Sequence, residues 1–558
     1  MMNRKIVIVG GVAGGATAAA RLRRIDEHSH IVMFERGAYI SYANCGLPYY
    51  IGGTIKERSK LLVQTVEGMT ARFGLDIRTL TEVVRINREQ KTVTVRHLPS
   101  GDEYEESYDT LILSPGSKPI VPPIPGLAES TYFTLRNIPD TDKIYTFLED
   151  QQPQNATIIG GGFIGLELAE NLVDRGLNVT LVEKSPQVMA PIDREMAALV
   201  HTELKQKGIT LYLNDGVKAF EEQGKQMILE SGTSISTDLV VLSIGVTPEN
   251  TLATLAGLET NERGGIIVDD HLKTNDPSIY AVGDAVQVKD YQFGQPTMIP
   301  LAWPANRQGR LVADHIYGKD VRYNGTLGTS IAKIFDLTVA ATGKNEKQLK
   351  AMGLPYEAIH IHPGSHAGYY PNATPLSMKL LFHPVEGTIY GAQIIGKEGA
   401  DKRIDVLATA IKGGLTVMDL PDLELAYAPP YSSAKDPVNL LGYVASNIVE
   451  GEVEVVHWDE MDGIAHAAGM ILDVRTSKEF SNGAIRNAVN IPLDDLRDRL
   501  EELPKEEPIT VYCQAGLRGY VATKLLEQHG FRVKNLEGGY KTYSIAMNDL
   551  KELQAQQA

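Results

Sequence analysis

The sequence predicts an α/β fold of several domains, most of them built on parallel sheets. Residues 5–35 and 156–183 each read as a strand, a glycine-rich turn, a helix and a second strand. A third unit, after residue 456, repeats the strand–loop–helix pattern with different loop chemistry. Length agrees with this division, because 558 residues exceed what one hydrophobic core serves and suggest three or four domains.

The first unit opens with the apolar run 5–9, then Gly10-Gly11-Val12-Ala13-Gly14-Gly15 and an alanine-rich helix. A strand that turns tightly into a helix N-terminus aims backbone N–H groups at a pyrophosphate. Val12 stands where the usual G-x-G-x-x-G has its middle glycine. The second strand, 31–34, ends at Glu35, placed to accept the ribose hydroxyls of an adenine dinucleotide. The second unit matches the motif in full, with Gly160, Gly162, Ile164 and Gly165 between strand 156–159 and a helix from residue 166. Its second strand ends at Glu183, an acid that favours NADH because it repels the 2′-phosphate of NADPH. Lys184 beside it leaves NADPH possible.

Two dinucleotide units imply two dinucleotides, FAD on the first and NADH on the second. Further pieces appear in order: Leu111-Ile112-Leu113-Ser114-Pro115-Gly116, then Gly245 followed by Thr247-Pro248, then Ile279-Tyr280-Ala281-Val282-Gly283-Asp284. This set resembles the pyridine nucleotide–disulfide oxidoreductases. The resemblance makes 111–116 the strand before the crossover to the NAD domain and Thr247-Pro248 the return. It puts Asp284 on the flavin's ribityl chain, and adds Arg36, Asn44, Gly116, Gly245 and Ala302 to the cofactor contacts. It also implies a discontinuous FAD-binding domain, 1–115 with 248–325, an NAD(P)H-binding domain, 116–247, and an α+β dimerisation domain, 326–445. Within the last, 377–382 and 388–395 read as strands and 401–412 as a helix.

Cys45 sits in Ser41-Tyr42-Ala43-Asn44-Cys45-Gly46-Leu47-Pro48-Tyr49, just after the flavin half-site. Members with a C-x-x-x-x-C pair reduce an internal disulfide, but the fifth residue after Cys45 is Tyr50. Cys45 must therefore cycle through a sulfenate, or through a mixed disulfide or persulfide with a substrate. A thiolate near a flavin and at a helix N-terminus would have a depressed pKa. The stretch resembles the redox loop of coenzyme A disulfide and persulfide reductases, as do 366–371 and 426–436. That resemblance makes Tyr369 and Tyr427 proton donors reaching the partner subunit's Cys loop, which implies a homodimer. It maps the coenzyme A contacts onto Thr17, Arg21, Arg24, Ser41, Asn44 and Lys435. Asn306 and Phe73 replace a histidine and a lysine found in some relatives, and Arg72 is the nearby substitute for the latter.

After an acidic linker at 446–456, residues 457–558 carry Asp473-Val474-Arg475, strand 510–512 and Cys513-Gln514-Ala515-Gly516-Leu517-Arg518 before a helix, then Glu537-Gly538-Gly539-Tyr540. A loop running from a cysteine to an arginine can curl its N–H groups round one sulfur and stabilise a persulfide. This resembles a rhodanese domain, with Cys513 retained. The whole is an α/β chain: two Rossmann-like dinucleotide-binding domains, an α+β dimerisation domain and a rhodanese-like domain.

Composition narrows the function. A net charge of −16 and 7% aromatic residues argue against a nucleic-acid or bilayer surface. No run reaches the ~18 apolar residues of a membrane helix. The N-terminal residues enter a strand without signal-peptide character, and two cysteines cannot make a disulfide framework, so a cytoplasmic protein is expected. The 13 histidines show no metal-ligand spacing, so no metal is expected. Together these features imply NADH-driven reduction of coenzyme A persulfide, related sulfane sulfur or coenzyme A disulfide at Cys45, with FAD, coenzyme A as substrate or tightly bound, and Cys513 relaying sulfur as a tethered carrier or through diffusing coenzyme A persulfide. The alternatives are a dedicated coenzyme A disulfide reductase with an independent sulfurtransferase tail, an NADH peroxidase or oxidase working through a sulfenate, and a non-enzymatic sulfur sensor.

Overall fold

Residues 4–466 and 469–557 are described in the computed structural model, so the first three residues of the N-terminal run lie outside the described residues. The chain divides into two compact units, Met1–Val182 with Gly216–Gly328, and Glu183–Asp215 with Thr329–Ala558.

The first unit is organised by the strand Lys5–Val9. It pairs in parallel with His30–Phe34 on one side and Thr110–Leu113 on the other. Asp76–Arg78 and Ile279–Ala281 complete a five-stranded parallel sheet, which brings residues from three distant stretches to one edge. The central strands Lys5–Val9 and Thr110–Leu113 are buried on both faces and so read as apolar runs rather than alternating, whereas the edge strand Asp76–Arg78 is only half-buried. A second parallel sheet has Asn155–Ile159 between Asn178–Glu183 and Leu239–Leu242, with Tyr132–Thr134 outside the latter. Ser117–Pro119 and Val246–Pro248 pair antiparallel, where the sequence put the two crossovers.

The second unit holds an antiparallel sheet of five strands, in the order Ser330–Ile334, Leu337–Gly343, Ile389–Gly396, Leu376–Phe382, Glu357–Ile361. Helix Ala400–Gly413 packs on its central strands. The expected strands and helix of this region are each found to within a residue. The C-terminal part is a parallel sheet centred on Ile509–Tyr512 and Met470–Asp473.

The linker is shorter than 446–456. Residues 446–449 finish the helix Pro437–Val449, and Val455–Val456 already pair with Val533–Leu536. The remaining acidic residues are not free. Lys524 Nζ donates to the Glu452 carbonyl at 2.7 Å, and Lys534 meets Glu454 at 3.2 Å. The C-terminal domain is also docked on the antiparallel sheet and on helix Arg194–Gln206, through buried pairs such as His201 Nδ1 with Asp549 Oδ1 at 2.7 Å. The C-terminal domain is thus held by more than its short linker, because His201 and Asp549 are desolvated and need each other.

Candidate active site

The first glycine turn has the shape a dinucleotide requires. Gly10 sits at φ +98°, and a Cβ on Gly15 would lie 1.9 Å from the Gly10 carbonyl, so neither position takes a side chain. Helix Ala13–Ile25 begins directly after the turn. Glu35 Oε2 accepts from Gly11 N at 2.9 Å and Oε1 from Gly37 N at 2.7 Å, which fixes the carboxylate over the turn. Arg36 pairs with Glu249 at 3.6 Å. The second turn repeats the design. Gly160 has φ +109°, a Cβ on Gly165 would be 2.1 Å from the Gly160 carbonyl, and Gly162 faces open space at the N-cap of Phe163–Asp174. Ile164 lies exposed in the first turn of that helix, and Glu183 ends its strand with Oε1 accepting from Ser185 N at 2.7 Å.

Around Cys45 the structure gathers groups the sequence reading did not name. Asp284 Oδ2 accepts from Arg136 Nη2 at 3.0 Å and from Ser117 Oγ at 3.1 Å, just past Gly283, whose N–H donates to Gln308 Oε1. Gly116 and Gly245 take φ of +72° and +120° at the crossovers, and Ala302 opens helix Ala302–Ile316. Ser41 is held at φ +45°, a strained value for serine, while Asn44 Oδ1 is buried with no partner in the protein. A strained serine and an orphaned amide oxygen flanking Cys45 fit a bound group, as do the two glycine cradles.

Cys45 lies in a 3-10 turn, Asn44–Gly46, ahead of the five-residue helix Leu47–Ile51. The depressed thiol pKa expected from the sequence is not supplied by the polypeptide. Although the residue is exposed, enough protein surrounds its sulfur that burial raises the pKa, and the charges of Glu167 and Asp284 add to this against Arg136. So short a helix carries too little dipole to reverse that. Glu167, on helix Phe163–Asp174, is itself pushed up to about 7 by burial, and Tyr49 Oη lies 3.5 Å from it. Tyr50, where a resolving cysteine would sit, stacks on Tyr145 at 5.0 Å.

The residues mapped for coenzyme A are placed as follows. Thr17 Oγ1 donates to Asn306 Oδ1 at 2.6 Å, joining the two helices that carry them. Arg21 is engaged by Asp314 at 2.6 Å, whereas Arg24 and Arg72 are exposed. Lys435 Nζ lies 5.8 Å from the centre of the Tyr443 ring.

In the second unit, Tyr369 and Tyr427 come together with their phenol oxygens 2.6 Å apart, 75% and 46% exposed. Buried Arg403 organises both loops, donating to Ser365 O, Ser432 Oγ and Asp436 Oδ2. At the other end, Cys513 is buried and its Sγ accepts from Gly516 N at 3.1 Å. The curled loop is four residues rather than six, since Leu517 and Arg518 already belong to helix Leu517–Gln528. Leu517 is exposed at the rim, and Arg518 makes a two-point pair with Glu479. Beside the loop a cavity of about 300 Å³ is lined by Arg475, Glu479, Asn482, Gln514 and Tyr540. Arg475 is clamped by Asp473, donates to Gln514 Oε1 at 3.2 Å and stacks on Tyr540.

Two glycine cradles with acids at their strand ends, a lone cysteine between them and a cysteine loop in a separate domain define a flavin- and nicotinamide-dependent oxidoreductase joined to a further α/β domain. The chain belongs to the pyridine nucleotide-disulphide oxidoreductase family, whose model matches residues 4–309. The dimerisation domain of that family matches 329–437 and a rhodanese-like domain matches 457–546. Coenzyme A disulfide reductase of Staphylococcus aureus (strain JH9) is 39% identical over 442 residues, 79% of this chain and 99% of the relative. The crystal structure of reduced Bacillus anthracis CoADR-RHD superposes with a TM-score of 0.97 at 58% identity, covering 98% of this chain and 99% of that one. A NAD-dependent persulfide reductase from A. fulgidus gives 0.90 at 37% identity, covering 97% and 100%. Among the described residues no helix is long and apolar enough to cross a membrane. One acidic group, Asp193, Glu195 and Glu346, has the spacing of a metal site, but Lys379 Nζ pairs with all three.

Proposed function

We propose that this chain is a cytoplasmic, homodimeric reductase that uses NADH to reduce coenzyme A persulfide and related sulfane sulfur at Cys45, with coenzyme A disulfide as a further substrate and Cys513 as sulfur carrier. The observation that carries this reading is the pair of free cysteines: Cys45 with an aromatic stack in place of a resolving thiol, and Cys513 in a loop whose N–H donates to its sulfur. A sulfur-carrying loop has no use in oxygen chemistry, which weighs against a peroxidase or oxidase.

FAD would be held by the Gly10–Gly15 turn, Glu35, Asn44 and Asp284, and when bound supplies two-electron transfer from NADH to sulfur at Cys45. The protein's own groups do the rest. The Cys45 thiolate attacks the outer sulfur of the persulfide, the S–S bond breaks and coenzyme A leaves as a thiol after gaining a proton. Cys45 keeps the sulfur as a persulfide, and two electrons with protons release it as sulfide and restore the thiolate. Tyr369 and Tyr427 of the partner subunit deliver the proton to the leaving thiolate. Arg24, Arg72 and Lys435 carry the positive charge for the nucleotide phosphates, with Thr17, Arg21, Ser41 and Asn44 lining the same ligand.

A second reading is favoured by the Staphylococcus relative, which matches only 79% of this chain yet 99% of itself, so a reductase of this kind is complete without the tail. In that case Cys513 serves an independent sulfurtransferase. Turnover of coenzyme A persulfide and coenzyme A disulfide by wild type, Cys45→Ser and Cys513→Ser separates the two. The proposal requires Cys45→Ser to lose both activities and Cys513→Ser to slow sulfide release from thiosulfate-loaded protein. Full activity of Cys45→Ser would sink it.

A further inference from the structure

The Cys513 loop does not rest only on its own domain. Tyr540 N donates to Cys513 O at 2.8 Å and Lys541 N to Gln514 O at 3.0 Å, so residues 540–541 form the floor of the loop. The corner before them is Gly538-Gly539, both at positive φ. A Cβ on Gly539 would lie 2.6 Å from Cys513 O, and one on Gly538 would lie 2.9 Å from the Cβ of His360. The corner is thus pressed between the sulfur loop and a histidine of the antiparallel sheet, on strand Glu357–Ile361.

His360 also grips the residue before the corner. Its backbone N–H donates to Glu537 Oε2 at 2.6 Å, and its Nδ1 lies 2.8 Å from Oε1. On the far side, Nε2 meets Glu195 Oε1 at 3.0 Å, and Glu195 is paired with buried Lys379. His457, itself paired with Glu357 at 2.9 Å, faces Glu537 Oε1 at 3.5 Å. Every one of these side chains except those of His457 and Glu357 is buried or nearly so, so the geometry is fixed rather than averaged.

We infer that His360 is a positioning residue for the sulfur chemistry of Cys513, acting through Glu537 and the Gly538-Gly539 corner. The inference rests on Cys513 being the sulfur carrier proposed above. Its physical content is that the dimerisation domain supplies one wall of the persulfide loop. Losing the His360–Glu537 pair frees the corner to shift, and the loop N–H groups then no longer converge on the sulfur. A histidine at another point of the domain contact provides the control. His201, on helix Arg194–Gln206, meets Asp549 Oδ1 at 2.7 Å and holds the C-terminal domain there rather than at the Gly538-Gly539 corner.

The test uses the full chain with FAD bound and two readouts: alkylation of Cys513 by iodoacetamide, followed by peptide mass spectrometry, and transfer of sulfur from thiosulfate to cyanide. In H360Q the alkylation rate should change at least threefold and kcat for transfer should fall about five- to tenfold with KM little altered, while NADH-driven coenzyme A disulfide reduction stays within twofold. H201Q should match wild type in all three. The H360Q/E537Q double variant should be no slower than either single variant, as expected of one shared interaction. Wild-type alkylation and transfer in H360Q, or an equal loss in H201Q, overturns the inference. If H360Q does not fold, E195Q removes the carboxylate behind His360 and carries the same test, with wild-type behaviour again overturning it. Should wild type itself transfer no sulfur, the proposed function of Cys513 fails, and the alkylation rates alone still decide the positioning.

Discussion

The phenol oxygens of Tyr369 and Tyr427 stand 2.6 Å apart, although 58 positions separate the two residues. That bond is the largest cause of a raised pKa at Tyr369, ahead of burial and of the neighbouring phenol's charge. A shared proton between two phenols makes one of them the better donor at a time, which suits protonation of a leaving thiolate. The pairing depends on Arg403, whose guanidinium reaches the loops that carry both tyrosines.

Replacing Tyr427 by Phe removes the acceptor and lowers the pKa of Tyr369. Steady-state turnover of coenzyme A persulfide should fall about 10- to 100-fold, with the alkaline limb of the pH profile moving to lower pH. Unchanged turnover would remove the tyrosines from the mechanism.

Glu167 raises the pKa of Cys45, second only to burial. Burial pushes Glu167 itself up to about 7, so above that pH its negative charge opposes the thiolate. In Glu167→Gln the carboxylate is gone and iodoacetamide should modify Cys45 about two- to fivefold faster at pH 8. At pH 6, where Glu167 is already neutral, wild type and variant should react alike.

The His360 cluster makes stability depend on pH. Burial alone would lower the pKa of His360, but the charge of Glu537 and the bonds to Glu195 and Glu537 outweigh it and raise the value to about 9. Because the folded value lies above the unfolded one, the contribution is complete below about 6.5 and is lost as pH rises through about 9. About 3 kcal/mol should disappear over that range, seen as a Tm that falls between pH 7 and 10 in wild type and much less in H360Q. Glu537 acts in the opposite sense: held down at about 2, its contribution is present above about 4.5 and lost as pH falls toward 2.

Lys379 is fully buried, and its charge is balanced by Asp193, Glu195 and Glu346. Lys379→Met removes the cation they share and leaves Glu195 with His360, Glu346 with Lys350 and Asp193 without an ion pair of its own among the described residues. Urea denaturation should show a loss of about 3–5 kcal/mol, the usual consequence of breaking a buried ion pair from one side. A loss below 1 kcal/mol would mean that the carboxylates rearrange or take up protons freely.

Much of this protein is legible without coordinates because its chemistry depends on local sequence. Gly10, Gly15, Gly160 and Gly165 are required by backbone approaches under 2.5 Å to a carbonyl, and such approaches always leave glycines at fixed spacing. Glu35 directly follows one strand, Glu183 ends another and Asp284 sits in the 3-10 turn after Ile279–Ala281, so their places are set by neighbours in sequence. The missing cysteine after Cys45 and the presence of Cys513 needed only a count of residue types.

What the sequence could not decide is whatever depends on residues hundreds of positions apart meeting in a low-dielectric interior. Arg136 on Asp284 and Glu167 near Cys45 come from different stretches, and no local pattern marks them. The expected low pKa of Cys45 was a local inference from a helix start, and it failed because longer-range carboxylates and burial outweigh five residues of helix. The stretch 446–456 read as a short acidic linker, and nothing nearby in sequence shows that Lys524 and Lys534 meet it or that Glu537 finds His360. Sequence by itself therefore determined the α/β class, the two glycine turns and the two lone cysteines. Only the tertiary structure decided which charges surround those cysteines and that the rhodanese-like domain is docked, because Coulomb and desolvation energies are set by distance in space.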